Sequence, residues 1–539
     1  MAQRSCDYLV VGAGAAGCVV AGRLSEDRDR KVVLLEAGPR RHGLLAHVPA
    51  SGFLTTAAAR TNWNFQTEPV PALGGRTLQW NQGKVLGGSS AINGMLYMRG
   101  HSREYDQWSQ MGCTGWSFED VLPYFRKAER SARGASRWHG DAGPLPVRPS
   151  RIDLPICREF LGAMSDAGYP TVDDINTDVV DGFGHIDVNV DRGRRVSTAD
   201  AYIVPAASRP NLEVVTDARV VRLRVEAGRL TAVDYRDRAG VHTVHVDGEA
   251  ILCGGAINSP QLLLSSGIGP ADELRRLGIA VVLDQPGVGR NLHNHPAYTL
   301  QYALAAPLSA YRYLNPLNAL SAGLRYALTR SGPFAESYAA TGGVFRTEPS
   351  LEVPDIFAVM IPALTFRGGV GARLRDLLPQ RHGFVVAVTG GRPASRGSIT
   401  LRSADPEHDP VIQPNCFAVG DDLETLAKGV KLVRDAMRGA RMRRLIADEL
   451  QPREIANDME TLRRAIRQNG GTLWHPAGTC RMGGGPDAVV DPRLCLNGIT
   501  GLRVADASVM PHPLTASTHA PVIMIGEMAA AMIRQDQVT

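Results

Sequence analysis

The 539-residue chain has no CxxC pair. Its eight cysteines, Cys6, Cys18, Cys113, Cys157, Cys253, Cys416, Cys480 and Cys495, are widely spaced, so neither a structural zinc site nor a disulfide framework is indicated. A reducing compartment, the cytoplasm, is the expectation. Lysine is scarce, five of 59 basic residues against 54 acidic ones, and the net charge of +5 is scattered without long runs. That falls short of a nucleic-acid-binding footprint and leaves small-molecule chemistry. Long apolar runs are missing too. The most apolar late stretch, residues 520–533, is broken by Gly526 and Glu527 and is too short to span a bilayer, so no transmembrane segment is expected. No charged leader precedes the first strand-like run, and no secretory signal is expected. At 44% hydrophobic and 21% charged, the composition is that of a globular protein, and the length suggests two to four domains.

Glycine is in excess: 57 residues, about 11% against a usual value of about 7%, with no collagen-like period. The first of these glycines sit in an informative place. Residues 7–11 read as a buried strand, 12–17 as a turn, 16–25 as a helix and 32–35 as a second strand, a βαβ opening. Within it, GAGAAG is a GxGxxG sequence between strand and helix. Gly12 permits the tight turn, Gly14 lets the backbone approach a pyrophosphate, and Gly17 lets helix and strand pack closely. Free N–H groups at the helix start favour an anion, making Gly12, Gly14, Ala15 and Gly17 candidate cofactor contacts. Glu36 follows Gly17 by 19 residues, at the end of the second strand, where a carboxylate accepts hydrogen bonds from ribose hydroxyls. It would repel a 2′-phosphate, which disfavours NADP. Spacing alone does not choose between FAD and NAD.

Further along, residues 60–150 are irregular and Gly-rich, the kind of long ordered connection that carries function. Residues 211–254 alternate apolar and polar and suggest a β-meander, ending before the helical SPQLLLSSG. Between about 300 and 460, a helix over 317–328, strands over 355–361, 383–389 and 397–401, and a charged helix from Asp421 suggest a second domain inserted in the first. The tail holds a strand over 502–505 and a final helix from Pro521.

GKVLGGSSAINGMLYMRGHSREYD (83–106) closely resembles the first signature of the glucose-methanol-choline (GMC) oxidoreductase family, and GAINSPQLLLSSGIG (255–269) resembles the second. PGVGRNLHNH (286–295), RPASRG (392–397), WHPAGTCRMG (474–483) and GLRVADASVMP (501–511) are similar to further family segments, in family order over nearly the whole chain. The resemblance implies an α/β fold: a Rossmann-like FAD-binding domain with an inserted α+β substrate domain built on an antiparallel sheet. The FAD-binding parts are expected at 1–150, 211–298 and 466–539, and the substrate parts at 151–210 and 299–465. It also implies that Gly87, Gly88, Ser89, Ser90, Asn93 and Gly94 lie against the flavin and pyrophosphate, where small residues expose N–H donors. Val221 resembles a position whose backbone contacts adenine, and Asp506 and Ala507 a motif at the ribityl-phosphate region. Some relatives bind flavin covalently through a His immediately before the Asn of the turn; Ile92 stands there, so non-covalent FAD is expected.

The implied reaction is oxidation of a small-molecule alcohol, with a primary alcohol going to an aldehyde as the expectation. It needs a base for the hydroxyl proton and flavin N5 for the hydride. His475 matches the family's catalytic histidine. Its partner departs from the pattern: the register from Asp506 puts Ser517 where Asn or His is usual, and His519 lies two residues on. Either Ser517 binds the substrate oxygen with His519 near the flavin, or His519 takes the partner role. Tyr97, Tyr338 and Phe357 are pocket guesses. His293 and His295 in NLHNH have the look of a metal pair, but the family has a similar segment without metal, and no metal is expected. The acceptor that reoxidises the flavin, oxygen or a quinone or redox protein, is open. So are two rival readings: a lyase or light-driven decarboxylase of the same family, and a non-catalytic flavoprotein.

Overall fold

The computed structural model describes residues 4–40, 43–56, 58–339, 341–364, 381–453 and 456–537. Two seven-stranded sheets dominate these residues. The first runs in the order Leu212–Val215, Val32–Leu35, Arg4–Val11, Gly240–Leu252, Arg229–Asp237, Arg219–Glu226, and Leu502–Val504 also pairs with Gly240–Leu252. Leu212–Val215, Val32–Leu35, Arg4–Val11, Gly240–Leu252 and Leu502–Val504 are parallel. Val32–Leu35 is VVLL with every residue buried, as a parallel strand covered on both faces requires. The helix Ala15–Leu24 covers one face, and His519–Asp536 lies on that helix. A Cβ on Gly526 would come within 2.9 Å of the Val19 Cβ, so the two helices touch where a side chain is absent. Their packing explains why the last helix is apolar nearly all round. Its one fully buried acid, Glu527, is held by Arg23 at 2.8 Å, Lys127 at 3.2 Å and the Tyr202 hydroxyl at 2.8 Å.

The sequence pattern over 211–254 is corrected in one respect. Only Arg219–Glu226, Arg229–Asp237 and Gly240–Leu252 form the antiparallel meander. Leu212–Val215 instead runs parallel to Val32–Leu35 at the far edge of the sheet. Alternation reports which face is buried and carries no information about the neighbouring strand.

The second sheet is antiparallel throughout: Ile446–Gln451, Pro296–Leu304, Gly383–Gly390, Ile356–Ile361, Thr341–Phe345, Gly182–His185, with Gly471–Thr472 also on Pro296–Leu304. The α/β class with an antiparallel second sheet is therefore as expected. The helix Gly420–Met437 packs behind it, with Gly429 against Ile356. Strand periodicity then divides Ile356–Ile361 in two. Ile356, Ala358 and Met360 enter the core shared with that helix, while Phe357, Val359 and Ile361 line a cavity between the sheets.

Candidate active site

That cavity has a volume of about 440 Å³. Val11, Leu35 and Leu252, the last residues of three parallel strands, open onto it. Ligands of open α/β sheets bind at such carboxyl ends. Here the floor is built from backbone. Gly12 has φ +97°, and a Cβ on it would stand 2.6 Å from the Cys253 carbonyl oxygen. Gly88, at φ +53°, presses on the first glycine motif: its Cβ would lie 2.6 Å from the Gly14 Cα. The Gly87 N–H donates to the Ala13 carbonyl at 2.8 Å, so the two glycine segments form one surface. Around the missing side chain of Gly14, by contrast, the nearest atom is 3.8 Å away, and around Gly255 none lies within 4 Å. Both face the cavity and leave room for a ligand to touch main chain.

Glu36 is buried beside this floor. Its carboxylate accepts from the Ala13 N–H at 2.9 Å and the Gly38 N–H at 2.8 Å. Burial nevertheless pushes its pKa up to about 7. Each oxygen keeps a lone-pair site for a hydroxyl donor. Ala15, Ser89, Ser90, Asn93, Gly94, Asp506 and Ala507 also line the cavity, but the side chains named at sequence level are largely spoken for. The Ser90 hydroxyl donates to the Gly87 carbonyl at 2.5 Å and sits 2.9 Å from the Thr198 hydroxyl. Ser89 bridges the Gly83 N–H and the Gln82 side chain, and Asn93 accepts from Arg195 at 2.9 Å. Asp506 accepts from the Gly255 N–H (2.8 Å), the Ser259 hydroxyl (2.6 Å) and the Ser508 N–H (2.8 Å), pinning a helix start to a turn. Gly17, Gly87 and Val221 lie outside the lining. Ala218, Arg219 and Val220 are in it, and Val221 sits at an irregularity of its strand pairing.

At the other end, His475, Ser517 and His519 share the cavity wall with Phe357 and Tyr338, whereas Tyr97 is buried elsewhere in the core. The His475 N–H of the main chain donates to the Asn294 side chain at 2.9 Å. Its ring Nδ1 is 3.0 Å from Nδ1 of His295, with the two rings nearly perpendicular at 86°. Phe357 packs edge-on to His295 and lies beside His475. Burial holds the His475 pKa well below the usual imidazole value and brings His295 down to about 4, so both rings are neutral at pH 7. His519 is also brought to about 4, by burial and by Arg195. The Ser517 hydroxyl is buried with no hydrogen-bond partner among the described residues.

His295 and Arg195 escaped the sequence reading as site residues. His295 stood in plain view in NLHNH, but its partner lies 180 residues away and nothing local links them. Arg195 is 2% exposed, donates to Asn93 and to the Ala46 carbonyl at 3.1 Å, and has one Nη without a partner. Among the described residues, no three potential metal ligands cluster.

Two family models, both described as GMC oxidoreductase, match residues 6–297 and 393–526. The chain belongs to the GMC oxidoreductases. Among curated relatives it is 40% identical to human mitochondrial choline dehydrogenase, over 98% of this chain and 89% of that one. It is 38% identical to an oxygen-dependent choline dehydrogenase of Brucella anthropi, covering 97% and 94%. Among solved structures, pyridoxine 4-oxidase from Mesorbium loti superposes with a TM-score of 0.88 at 30% identity, covering 99% of each chain. This GMC oxidoreductase is thus an enzyme of the oxidoreductase class, acting on CH–OH donors. Its residues fit a flavin dinucleotide: the main-chain floor is open at Gly14 and Gly255, the Glu36 carboxylate is buried beside that floor, and an unpartnered buried hydroxyl, Ser517, stands at the far end of the cavity.

Proposed function

We propose that this enzyme oxidises a primary alcohol with an apolar body to the aldehyde, with His475 as the base. Its oxidation of an alcohol is FAD-dependent; FAD, when bound, supplies a hydride acceptor at flavin N5. Gly12, Gly14, Ala15, Gly88 and Gly255 would carry the pyrophosphate side through main-chain contact, and Glu36 would take the ribose hydroxyls. Val221 and the other segments named above complete the cofactor side, and we divide the chain into FAD-binding and substrate parts at the boundaries given above. Ile92 carries a hydrocarbon side chain and cannot bond to a flavin, which supports non-covalent attachment. Acid precipitation should therefore leave the yellow flavin in the supernatant.

The contact between His475 and His295 carries the catalytic reading. Two neutral rings that meet Nδ1 to Nδ1 share one proton, and in the tautomer we assign it sits on His475 while His295 carries its own on Nε2. Its Nδ1 then accepts from Nδ1–H of His475, and the lone pair of His475 is left on Nε2, on a ring that lines the cavity. A neutral imidazole so oriented takes the hydroxyl proton as the carbinol hydride departs. Ser517 offers its unpartnered hydroxyl to the substrate oxygen, and His519, neutral at the same wall, stays near the flavin position. The substrate wall is Phe357, Val359, Ile361, Tyr338 and Leu473. The lining's two carboxylates, Glu36 and Asp506, are tied to main-chain N–H groups at the cofactor end. Among the described residues no lining acid stands at the substrate end, where apolar and aromatic side chains form the wall, and we read the substrate as a neutral alcohol.

Lyase or decarboxylase chemistry is not favoured, since the relatives are dehydrogenases and oxidases. The free thiols suit a cytoplasmic location. The acceptor that reoxidises the flavin is oxygen, a quinone or a redox protein. The test is His475→Ala: the variant should keep its FAD and lose roughly 10²–10⁴-fold in anaerobic flavin reduction by alcohol. Near-normal reduction would remove His475 from its role. Comparing choline with its neutral isostere 3,3-dimethylbutan-1-ol tests the substrate class, and preference for choline would overturn the apolar assignment.

A further inference from the structure

The helix Pro316–Thr329 is apolar on two opposite faces, and the described residues cover only one. Ala322 and Tyr326 turn inward. On the outer side stand Leu317, 78% exposed, Leu320 at 70%, Leu324 at 58% and Leu328 at 75%, with Leu314 just before them at 39%. The spacings of three, four and four residues put these leucines in one stripe along the helix. A helix on a protein surface ordinarily shows water its polar residues. Five of the twelve exposed large hydrophobic residues among those described fall within these fifteen positions, so the patch is concentrated rather than scattered.

Among the described residues its rim is mainly basic. Between Asp284 and Glu336 the sequence holds no acidic residue. Arg312, Arg325 and Arg330 are exposed around the stripe, and Arg192 and Arg194 join them from a hairpin whose Gly193 abuts the Arg330 carbonyl. None of the five forms an ion pair among the described residues; Arg312 and Arg330 lie over the rings of Tyr313 and Tyr326, and Arg325 bonds the Ser331 hydroxyl. A protruding row of aliphatic side chains edged by unpaired guanidinium groups matches a bilayer with anionic head groups. The leucines enter the acyl boundary and the arginines meet phosphates. A protein partner would be met better by aromatic anchors with satisfied polar groups, which this stripe lacks.

We propose that this helix seats the enzyme on an anionic membrane surface. The chain continues from it through Pro333–Ala335, which packs on Pro49–Ser51, into Ser337, Tyr338 and Ala339 of the cavity wall. Docking there would bring that wall toward the lipid. The test uses the holoenzyme, sedimented with phosphatidylcholine vesicles and with vesicles containing about a third phosphatidylglycerol, at low and high salt. Binding should be roughly tenfold stronger to the anionic vesicles and weaken with salt. Replacing all four leucines (Leu317→Gln, Leu320→Gln, Leu324→Gln, Leu328→Gln) should lower it by at least roughly tenfold, with turnover of a soluble alcohol unchanged. Equal partitioning of the variant, or no partitioning of the wild type, would overturn the proposal. So would a wild-type dimer seen by light scattering that the variant lacks, which would assign the stripe to a second copy of the chain.

Discussion

The two ends of the cavity are built from different materials. The cofactor end is main chain: glycines stacked on one another, N–H groups at helix starts, and side chains such as Ser90 and Asp506 whose bonds hold that main chain in place. The substrate end is side chain, with Phe357, Val359 and Ile361 hung on a sheet and two histidines meeting across 180 residues. A site of main chain tolerates almost no change in residue type, because a Cβ on Gly12 or Gly88 meets main chain and one on Gly14 or Gly255 would fill the room left for a ligand. A site of side chains on a regular strand can change its lining while the strand stays the same. The first end should therefore be brittle and the second adjustable.

The largest effect expected breaks the brittle end. Gly88→Ala puts a Cβ against Gly14 at a backbone angle that alanine resists, and it should weaken FAD binding by roughly 10²-fold or more. Flavin content of the purified variant measures this; full flavin occupancy would mean that the two glycine segments slide apart at little cost. Next comes His295→Leu, which removes the acceptor that orients His475. We expect kcat to fall by roughly 10²-fold with flavin content unchanged. A purely structural role for His295 would leave the acid limb of the pH profile where it was, whereas loss of the orienting contact should shift it.

The adjustable end gives a milder prediction. Phe357→Ala should raise KM for a bulky apolar alcohol roughly tenfold, in line with the loss of a few kcal/mol of apolar contact. Its kcat should change less, and its flavin content not at all. If instead flavin is lost, the two ends are one mechanical unit and the contrast between them fails.

The same contrast explains what was legible. GAGAAG and Glu36 were readable because a turn that must expose main chain admits few residue types, and such scarcity shows in a single sequence; GGSS was readable through the family resemblance. The parallel βαβ opening followed from buried runs and periodicity, whereas the antiparallel second sheet came from the family resemblance. Roles for individual side chains did not follow from such patterns. Ser89, Ser90 and Asp506 line the cavity, and that their hydroxyl and carboxylate groups also brace the loops depends on which way each side chain turns. His295 was weighed against a metal because its neighbour at i−2 is also a histidine. Its actual neighbour, His475, is set by tertiary packing alone. Leu212–Val215 shows the same limit for strands: its composition was plain and its partner was not.

The smallest effect concerns pH, and its sign differs between groups. His295, His512 and His519 are each brought down to about 4 by burial. Unfolded, they would titrate near 6.5, so between about pH 6.5 and 4 the unfolded chain binds more protons. Stability must then fall as the pH drops through that window, by an uptake approaching three protons per unfolding event. His139 runs the other way: between Asp174 and Glu129 its pKa is raised to about 9, and its contribution is lost as the pH rises from about 6.5 through 9. His475 and His293, held well below the usual value by burial, add to the acid side, Glu36, raised to about 7 by burial, subtracts from it, and the balance of these groups makes acid the more damaging direction. Thermal melts should show a Tm that drops more steeply from pH 6.5 to 4.5 than from 6.5 to 8.5. The kcat/KM of the enzyme should stay flat above pH 6.5, because the His475 pKa lies well below that and the base is already unprotonated. A limb at pH 7 or higher that disappears in His475→Ala would show that the ring is hydrated in the working enzyme, and the dry, side-chain-built character of the substrate end would have to be given up.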